Sequence, residues 1–322
     1  MENLGTLNNQ YTLLKVKRME PYRVYFVARH DETNTNYIIK TKRNMHDFVD
    51  TFPAKDLNIL NTLINVNNPY ILHYIRNENG QLLLNNKPPR SVPYLVFENA
   101  QNFSLEDYIG QGKLPERHAK LLFKKIINGI QAIHNVNICH RNISLYNIFL
   151  DENYNPKIFD FEYSCLNADN LKEIIGDKNY IAPEISAKHY YNGFKVDIFS
   201  LGQLLFNLVT GLSGFKSSNE NDPYYKFIIR KMVYDYWHKV SLNINFNLSD
   251  NFKELYIGMV AYKPEERPTI NEILNSSWLQ EVNNLNPQQI HDLENEIREE
   301  LLNREASIIQ EKAKLKFMDE YL

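Results

Sequence analysis

Residues 138–162 have the sequence ICHRNISLYNIFLDENYNPKIFDFE, and the rest of the chain is interpreted outward from this stretch. Its short apolar runs and turn residues predict a short strand, a tight loop, and a strand hairpin that leads into a second loop. The first loop carries His140, Arg141 and Asn142, and the second begins at Asp160. Charged and hydrogen-bonding side chains are therefore concentrated in two loops that short strands flank.

Before this stretch, the sequence predicts strands with one helix among them. The helix is predicted over residues 46–64, where apolar residues recur at helical spacing until the turn signal Asn-Asn-Pro. The predicted strands are rich in β-branched and aromatic residues, and the loop NENGQLLLNNKPPR at 77–90 is expected to join the last two. These strands are 11–18, 23–30, 36–41, 71–76 and 93–98.

From residue 99 onward the pattern is helical. Because the strands come first and the helices follow, the predicted fold class is α+β with two segregated lobes. The small β-rich N-lobe with one helix is expected over 11–98, and the large α-helical C-lobe over 99–280. Helices are predicted at about 104–110, 115–135 and 195–211, with others between 222 and 280.

Short motifs follow one another along the chain in a fixed order. They are YIIK at 37–40, His140-Arg141-Asn142 followed by Asn147, Asp160-Phe161-Glu162, IAPE at 181–184, VDIFSLG at 196–202 and KPEERPT at 263–269. Over about residues 11–280 the chain resembles the eukaryotic protein kinases, of the serine/threonine type. The resemblance implies a two-lobed protein-kinase-like fold and the cofactors ATP and Mg²⁺.

The resemblance also assigns the nucleotide and metal positions. Lys40 would pair the α- and β-phosphates, with Asp56 on the helix as its partner. Asn147 and Asp160 would bind Mg²⁺ through hard oxygen ligands. Each has a structural alternative, namely a lysine at the end of a strand and loop residues that serve hydrogen bonding alone. The remaining positions of the nucleotide cleft are Val24, Ile38, Phe97, Glu98, Ala100 and Phe149.

Three positions of the catalytic machinery depart from the family pattern. Asn142 stands where the family has the Asp that accepts the substrate hydroxyl proton, and an amide has no basic site near neutral pH. Ser144 replaces the Lys that steadies the γ-phosphate, and Asp177 replaces the Thr of G-T-x-x-Y. Such groups act together, so the loss of one lowers the constraint on the others.

The nucleotide cleft departs from the pattern as well. When the alignment is anchored on Val24, no Gly falls in the phosphate loop, although Gly is what lets backbone N–H groups approach phosphates closely. The three positions are Lys17, Met19 and Tyr22. Ile38 and Phe149 are larger than the usual Ala and Leu around the adenine, and Phe97 narrows the back of the cleft. We therefore expect weak or absent ATP binding.

Other family positions are retained for reasons of folding. Glu184 and Arg267 match the buried ion pair of the family, and loss of one partner from such a pair costs about 3–5 kcal/mol. In the activation segment, Glu173 falls where many kinases carry a phosphosite that faces Arg141. A fixed carboxylate there would order the segment without phosphorylation. The alternative is a solvated surface glutamate.

The resemblance ends at residue 280, and residues 287–320 predict an amphipathic helix. Its apolar positions are Ile290, Leu293, Ile297, Leu301, Ile308 and Leu315. Two interpretations stay open: a helix that packs back on the large lobe, and a segment that binds a partner or forms a coiled coil.

Composition restricts the partners and the location. The net charge of −3 gives no reason to expect nucleic acid or an anionic membrane as a partner. The start, MENLGTLNNQ, does not resemble a signal peptide, and no apolar run approaches membrane-spanning length. Cys139 and Cys165 lack metal-site spacing and offer at most one bridge, so we expect both to be reduced in a cytoplasmic protein.

Three functions remain compatible with these residues. The leading hypothesis is a pseudokinase, a binding or allosteric module that contacts protein partners through the C-lobe or the C-terminal helix. The second is an active serine/threonine kinase with an atypical site that uses Lys40, Asn147 and Asp160 with ATP and Mg²⁺. The third is a sensor that binds ATP without turnover. Nucleotide binding and phosphoryl transfer distinguish them.

Overall fold

The computed structural model describes residues 3–42, 51–85 and 87–319, with side chains to residue 313. The chain divides into two compact units, Met1–Asn102 and Phe103–Leu322. The described part of the first unit is mainly strands with one helix, and the second is mainly helical. The predicted α+β class is therefore confirmed. Within the described residues, none of the helices is both long and apolar enough to cross a membrane.

The strands of the N-terminal unit are antiparallel and close on themselves. They are β1 Gly5–Leu7, β2 Tyr11–Met19, β3 Arg23–His30, β4 Asn36–Lys42, β5 Tyr74–Leu84 and β6 Arg90–Glu98. Their order is β1-β2-β3-β4-β6-β5, and β1 pairs with both β2 and β5 to complete the barrel. Alternate residues point inward because side chains in a strand have a period of two. The core contains Leu7, Tyr11, Leu13, Val24, Phe26, Ala28, Ile39, Leu82, Val92, Tyr94 and Val96.

Strand β1 was not predicted, and it lies before the expected lobe boundary at residue 11. It is only three residues long, which is too short for a periodic signal. Gly5 has φ +143°, and a Cβ there would lie 1.9 Å from the carbonyl oxygen of Leu83. Only glycine allows the backbone of β1 to approach β5 this closely.

The predicted loop at 77–90 is wrong, because most of it is strand. Strand β5 continues to Leu84, with Gly80 opposite Val92 and Leu82 opposite Arg90 on β6. Gly80 and Leu82 are buried, while the polar residues Asn79 and Gln81 are exposed. The outward side chains resemble those of a loop in sequence, but the alternation of burial is that of a strand.

Helix α1 spans Ala54–Leu63 and buries Ile59, Leu60 and Leu63. It begins later than the predicted residue 46, directly after Pro53. Proline disfavours the helical conformation in the residue that precedes it, so the helix starts beyond this point. Residues 46–50 of the predicted helix lie outside the described residues.

The C-terminal unit is built around one central helix. Its helices are α2 Leu105–Gly110, α3 Glu116–Asn135, α4 Pro183–Ser186, α5 Gly193–Thr210, α6 Tyr225–Ile229, α7 Val233–Ser241, α8 Asp250–Met259, α9 Ile270–Leu274, α10 Gln280–Asn283 and α11 Pro287–Asp319. Helix α5 is buried on nearly all sides, as expected for a helix in the middle of a core. It carries Asp197, which anchors the site described below.

The quoted stretch folds as predicted, into a strand, a loop and a hairpin. Its strands are β7 Ile138–Cys139, β8 Ile148–Leu150 and β9 Pro156–Ile158, followed by β10 Cys165–Leu166. Strands β8 and β9 form the hairpin, and β7 pairs with β10. A single 3-10 turn at Leu145–Asn147 connects the first loop to β8.

Helix α11 packs back on its own unit, which is the first of the two interpretations. Its buried residues include Leu293, Leu301 and Ile308, which lie on one face. Glu305 of α11 accepts hydrogen bonds from the Tyr108 hydroxyl at 2.7 Å and the Tyr154 hydroxyl at 2.9 Å. The side chain of Leu315 and residue 320 lie outside the described residues.

Candidate active site

One face of the N-terminal barrel carries three predicted nucleotide-cleft residues. Ile38 on β4 pairs directly with Phe97 on β6, and directly opposed residues of antiparallel strands share a face. Lys40 lies two residues further along β4 and therefore shares this face. All three side chains are buried. The structure thus brings Ile38, Lys40 and Phe97 together within the N-terminal unit.

The face that carries Lys40 is packed with the chain's own side chains. Lys40 pairs with Tyr25 on β3, and its Nζ lies 5.2 Å from the centre of the Tyr25 ring. Arg18 on β2 also pairs with Tyr25, with Cζ 5.5 Å from the ring centre. Cations at this distance from an aromatic ring are attracted by its quadrupole. Arg18 also forms an ion pair with Glu20 at 2.7 Å.

The assignment of Val24 to the nucleotide cleft is wrong. Val24 belongs to the core of the barrel and pairs with Thr41, the residue after Lys40. A shift of one residue along a strand moves the side chain to the opposite face. The β3 residues that share the face of Lys40 are Tyr25 and Val27. An alignment of the phosphate loop anchored on Val24 is therefore displaced.

Lys17 makes a contact that sequence reasoning missed. It lies where the β2–β3 register shifts between Val16 and Arg18. Its ammonium donates hydrogen bonds to the carbonyl oxygens of Ala100 and Asn102, the second at 2.5 Å. Ala100 is a predicted nucleotide-cleft residue of the hinge, so this segment is hydrogen-bonded to a lysine of its own unit. No local pattern in the sequence signals this contact, because it joins residues far apart in the chain.

Glu98 and Asp56 have structural roles in the same unit. The Glu98 carboxylate accepts the His73 N–H at 3.0 Å, and the Glu98 N–H donates to the His73 carbonyl at 2.9 Å. Glu98 thereby joins the end of β6 to the segment before β5. Asp56 lies in the first turn of α1, where the helix dipole favours a carboxylate.

In the C-terminal unit, Asp197 holds the first loop of the quoted stretch. Its two carboxylate oxygens accept the backbone N–H groups of His140 and Arg141, each at 2.8 Å. His134 lies 2.9 Å from the same carboxylate. Burial lowers the pKa of His140, whose Nε2 lies 3.1 Å from the carbonyl oxygen of Phe159. Asp197 therefore holds the loop through its backbone N–H groups, and the Phe159 carbonyl contacts it through the His140 side chain.

Asn142, at the position of the catalytic base, takes part in a structural hydrogen bond. Its side-chain Oδ1 accepts the backbone N–H of Asp177 at 3.2 Å. The Asp177 carboxylate accepts the N–H of Asn179 at 2.9 Å. The structure thus brings Asn142 and Asp177 together, with the Asn142 amide connecting the loop to the activation segment. Gly176, with φ +103°, packs against the Arg141 carbonyl, where a Cβ would lie 2.9 Å away.

Ser144 is buried next to this connection. Its side chain is 1% exposed, and its hydroxyl has no hydrogen-bond partner among the described residues. An unsatisfied buried hydroxyl costs about 1–3 kcal/mol. The position therefore contributes neither a positive charge nor a satisfied hydrogen bond.

The two candidate metal ligands lie on joined segments of the C-terminal unit. Asn147 is buried and donates through Nδ2 to the Asn142 carbonyl at 2.8 Å. The Asn147 carbonyl accepts the N–H of Phe159 at 3.0 Å, one residue before Asp160. Asp160 is buried with φ +65°, a left-handed conformation that Asp and Asn adopt more often than other non-glycine residues. Phe149 is buried in the same unit, with its ring 5.1 Å from that of Phe159.

The activation segment is tied to the first loop by Arg141. Its guanidinium donates to the Glu173 carboxylate at 2.9 Å, the Tyr191 hydroxyl at 3.1 Å and the Tyr163 carbonyl at 2.7 Å. The pKa of Glu173 lies below its ordinary value, first because the backbone N–H of Glu173 donates to its carboxylate and then because of Arg141. A carboxylate thus faces Arg141 near the position where many kinases carry a phosphosite.

The predicted ion pair of the scaffold is present. Arg267 donates to both carboxylate oxygens of Glu184, each at 2.7 Å, and both residues are buried. Arg267 also donates to the Ala261 carbonyl at 2.9 Å and the Lys195 carbonyl at 2.9 Å. Bidentate pairs with further hydrogen bonds are the geometry in which a buried charge is well compensated.

Comparison with known proteins agrees with this architecture. The chain is 34% identical over 229 residues to a probable serine/threonine-protein kinase, HSL1, of Saccharomyces cerevisiae, covering 68% of this chain and 14% of that protein. It is 31% identical over 214 residues to CBL-interacting serine/threonine-protein kinase 19 of Arabidopsis thaliana, covering 65% of this chain and 42% of that protein. It is 28% identical over 285 residues to a carbon catabolite-derepressing protein kinase of Secale cereale, covering 87% and 53%.

These relatives are longer than this chain, which spans from 14% to 53% of their lengths. The family described as the protein kinase domain matches residues 23–279. That match covers most of the chain and contains every motif from YIIK to KPEERPT. The chain belongs to the protein kinase domain family.

Proposed function

We propose that this protein is a pseudokinase, a kinase-family domain that acts as a binding or allosteric module with little phosphoryl transfer. The observation that carries the proposal is the hydrogen bond of 3.2 Å from the Asp177 N–H to the Asn142 amide oxygen. At the catalytic position the chain has an amide without a basic site, and its oxygen serves to hold the activation segment. The group expected to accept the substrate proton is thereby missing.

The size of the loss follows from general-base catalysis. A positioned base typically contributes about 10²–10⁴-fold to the rate of proton transfer. Ser144 offers no positive charge for the transferred phosphate, and its hydroxyl is unsatisfied among the described residues. These changes act on the same step, so restoring one of them is insufficient.

Weak or absent ATP binding is part of the proposal. Protein kinases use ATP and Mg²⁺, and Lys40, Asn147 and Asp160 are the residues of this chain that would hold them. Asn147 and Asp160 provide hard oxygen ligands that suit Mg²⁺. Against nucleotide binding, Lys17 donates to the carbonyl oxygens of Ala100 and Asn102, and Tyr25 packs against Lys40.

An active serine/threonine kinase with an atypical site is the alternative. It is favoured by the retained Lys40, Asn147 and Asp160 and by the printed names of the relatives, which are kinases. The ATP sensor without turnover is favoured by the same three residues together with Asn142. These alternatives differ from the pseudokinase in nucleotide binding.

We further propose that the module acts on a protein partner through its C-terminal unit and that it resides in the cytoplasm. Among the described residues of α11, the apolar positions left for a partner include Leu302 and Ile309, since Leu301 and Ile308 are buried. Cys139 and Cys165 are thiols rather than a disulfide, which suits a reducing compartment.

A thermal-shift titration with ATP, with and without Mg²⁺, tests the nucleotide part of the proposal. A ligand at 100 times its Kd stabilises a protein by about 2.7 kcal/mol, which is easily detected. We expect no Mg²⁺-dependent rise in Tm at millimolar ATP for the wild type. Lys17→Ala is the matched variant, because it releases the hinge carbonyls and leaves Lys40 in place.

Each other outcome assigns a different function. A clear Mg²⁺-dependent rise in the wild type without ADP formation favours the sensor. The same rise with ADP formation favours the active kinase. A rise that occurs only in Lys17→Ala shows that the Lys17 contact excludes the nucleotide.

A further inference from the structure

Two cysteines face each other across the shortest ladder of the C-terminal unit. Cys139 on β7 is the register partner of Cys165 on β10, and their Sγ atoms are 3.2 Å apart. Both are thiols, and both are buried in a small apolar cluster with Ala168. The proposed pseudokinase function makes no use of either sulfur.

The geometry suits a disulfide without movement of the backbone. Directly opposed residues of antiparallel strands have Cα atoms about 4.5–5.5 Å apart, within the range of about 4.4–6.8 Å found across disulfides. A disulfide has an S–S distance of about 2.05 Å, so the two sulfurs of Cys139 and Cys165 need to approach by roughly 1 Å.

The position connects the two loops of the quoted stretch. Cys139 directly precedes His140 of the first loop, and Cys165 follows the second loop at the start of the activation segment. Two hydrogen bonds already join the same two segments. Arg141 Nε donates to the Tyr163 carbonyl at 2.7 Å, and the Ser164 hydroxyl donates to the His140 carbonyl at 3.3 Å. A covalent link here would fix the activation segment to the catalytic loop.

We propose that Cys139 and Cys165 form a reversible disulfide, a modification site at which a small-molecule disulfide such as oxidised glutathione is the oxidant. The Cys165 thiolate attacks one sulfur of the oxidant, forms a mixed disulfide and releases one glutathione. The Cys139 thiolate then attacks the Cys165 sulfur and releases the second glutathione. The two cysteine sulfurs lose two electrons, which reduce the oxidant, and their two protons end on the two glutathione thiols.

Burial sets the order and the speed of these steps. Cys165 is 6% exposed and Cys139 is 0% exposed, so the oxidant reaches Cys165 first. The hydrogen bond with Cys165, followed by burial, raises the pKa of the Cys139 thiol. Because both thiols are buried, the reaction requires local opening of the two-residue ladder, so oxidation is slow.

The test uses the full chain in glutathione buffers of increasing oxidised fraction. After quenching with acid, we expect the intact protein to lose the mass of two hydrogen atoms, and the peptide map to link the Cys139 peptide to the Cys165 peptide. Closing a loop between residues 139 and 165 should raise Tm by about 5 °C. Dithiothreitol should reverse both changes, and oxidation should slow proteolysis within residues 163–182.

Cys165→Ser and Cys139→Ser are the matched variants, since neither can form the link. Both must keep the Tm of the reduced protein after oxidation. If a variant fails to fold, the mass and peptide map of the wild type decide the matter alone. Two thiols that both remain open to alkylation in the oxidised buffer, or a stable mixed disulfide on Cys165, would overturn the proposal.

Discussion

Two sets of polar residues in the C-terminal unit lie at positions where the kinase family has characteristic residues. The first set retains the family's residues, and the second does not. Arg267 and Glu184 form a buried bidentate pair with both distances at 2.7 Å. Asn142, Ser144 and Asp177 occupy the positions of the chemistry. There the Asn142 amide oxygen accepts a backbone N–H at 3.2 Å, the Asp177 carboxylate accepts another at 2.9 Å, and the Ser144 hydroxyl is unsatisfied among the described residues.

The difference shows which requirement each set meets. A buried ion pair must be complete, because removal of one partner leaves an uncompensated charge. The residues of the chemistry are required only if phosphoryl transfer takes place, so without it other residue types are tolerated at these positions. The first set retains the family's charges, whereas the second has lost a base and a cation.

The largest expected effect comes from breaking the first set. Arg267→Ala leaves the Glu184 carboxylate buried without its partner, so we expect the free energy of unfolding to fall by about 3–5 kcal/mol. Urea unfolding followed by circular dichroism measures this loss. The control is Lys231→Ala, which removes an exposed pair with Glu266, where the lysine side chain is 72% exposed.

For that exposed pair we expect no resolvable change in the free energy of unfolding, because solvent screens the interaction. Equal losses in the two variants would show that the buried pair has no special role in the fold.

An intermediate effect, with the free energy of unfolding unchanged or raised, is expected from a substitution in the second set. Ser144→Ala removes a buried hydroxyl that has no partner among the described residues, so stability should stay equal or rise by up to about 1 kcal/mol. Ser200→Ala is the matched control, because the buried Ser200 hydroxyl donates to the Tyr180 carbonyl at 2.9 Å. It should lose about 1 kcal/mol. A clear destabilisation by Ser144→Ala would mean that this hydroxyl serves the fold after all.

The smallest expected effect concerns Glu173, which forms an ion pair as the first set does but is exposed. Its pKa is lowered in the folded protein, so its contribution to stability is present above its ordinary pKa and is lost as the pH falls through the lowered value. Its side chain is 57% exposed, so Glu173→Ala should cost no more than about 1 kcal/mol near neutral pH. Once the pH has fallen below the lowered pKa of Glu173, the wild type and the variant should converge in stability.

Proteolysis within residues 163–182 measures the same contact locally. We expect faster cleavage of Glu173→Ala than of the wild type at neutral pH, because Arg141 loses its carboxylate partner. Unchanged protection of this segment would leave Glu173 a surface residue that happens to lie near Arg141.

Much of the fold followed from the sequence. The order of strands and helices predicted the α+β class, and the ordered motifs predicted the buried ion pair of Glu184 and Arg267, which the contacts confirm. Hydrophobic periodicity did not predict the strands where its signal is weak, namely the three residues of β1 and the part of β5 with a polar outward face. Strand β1 is too short for a periodic signal, and the residues NENGQ of β5 resemble a turn, so both are recognised only through their pairing with neighbouring strands.

The candidate site was predicted less completely, for geometric reasons. Val24 was assigned by alignment, but a slip of one residue places it on the inner face of the barrel. The contact of Lys17 with Ala100 joins residues far apart in the chain, and no local pattern signals it. The connection between Asn142 and Asp177 likewise depends on how two loops meet.

Radiolabelled phosphoryl transfer from ATP with Mg²⁺, to the protein itself and to a general protein substrate, tests the central claim most directly. We predict transfer near background for the wild type and no rescue in Asn142→Asp, because Ser144 and Asp177 remain. Lys40→Met and Asp160→Ala serve as controls for contaminating activity. Robust transfer by the wild type that disappears in both control variants would contradict the account and establish an active kinase with an unusual catalytic loop.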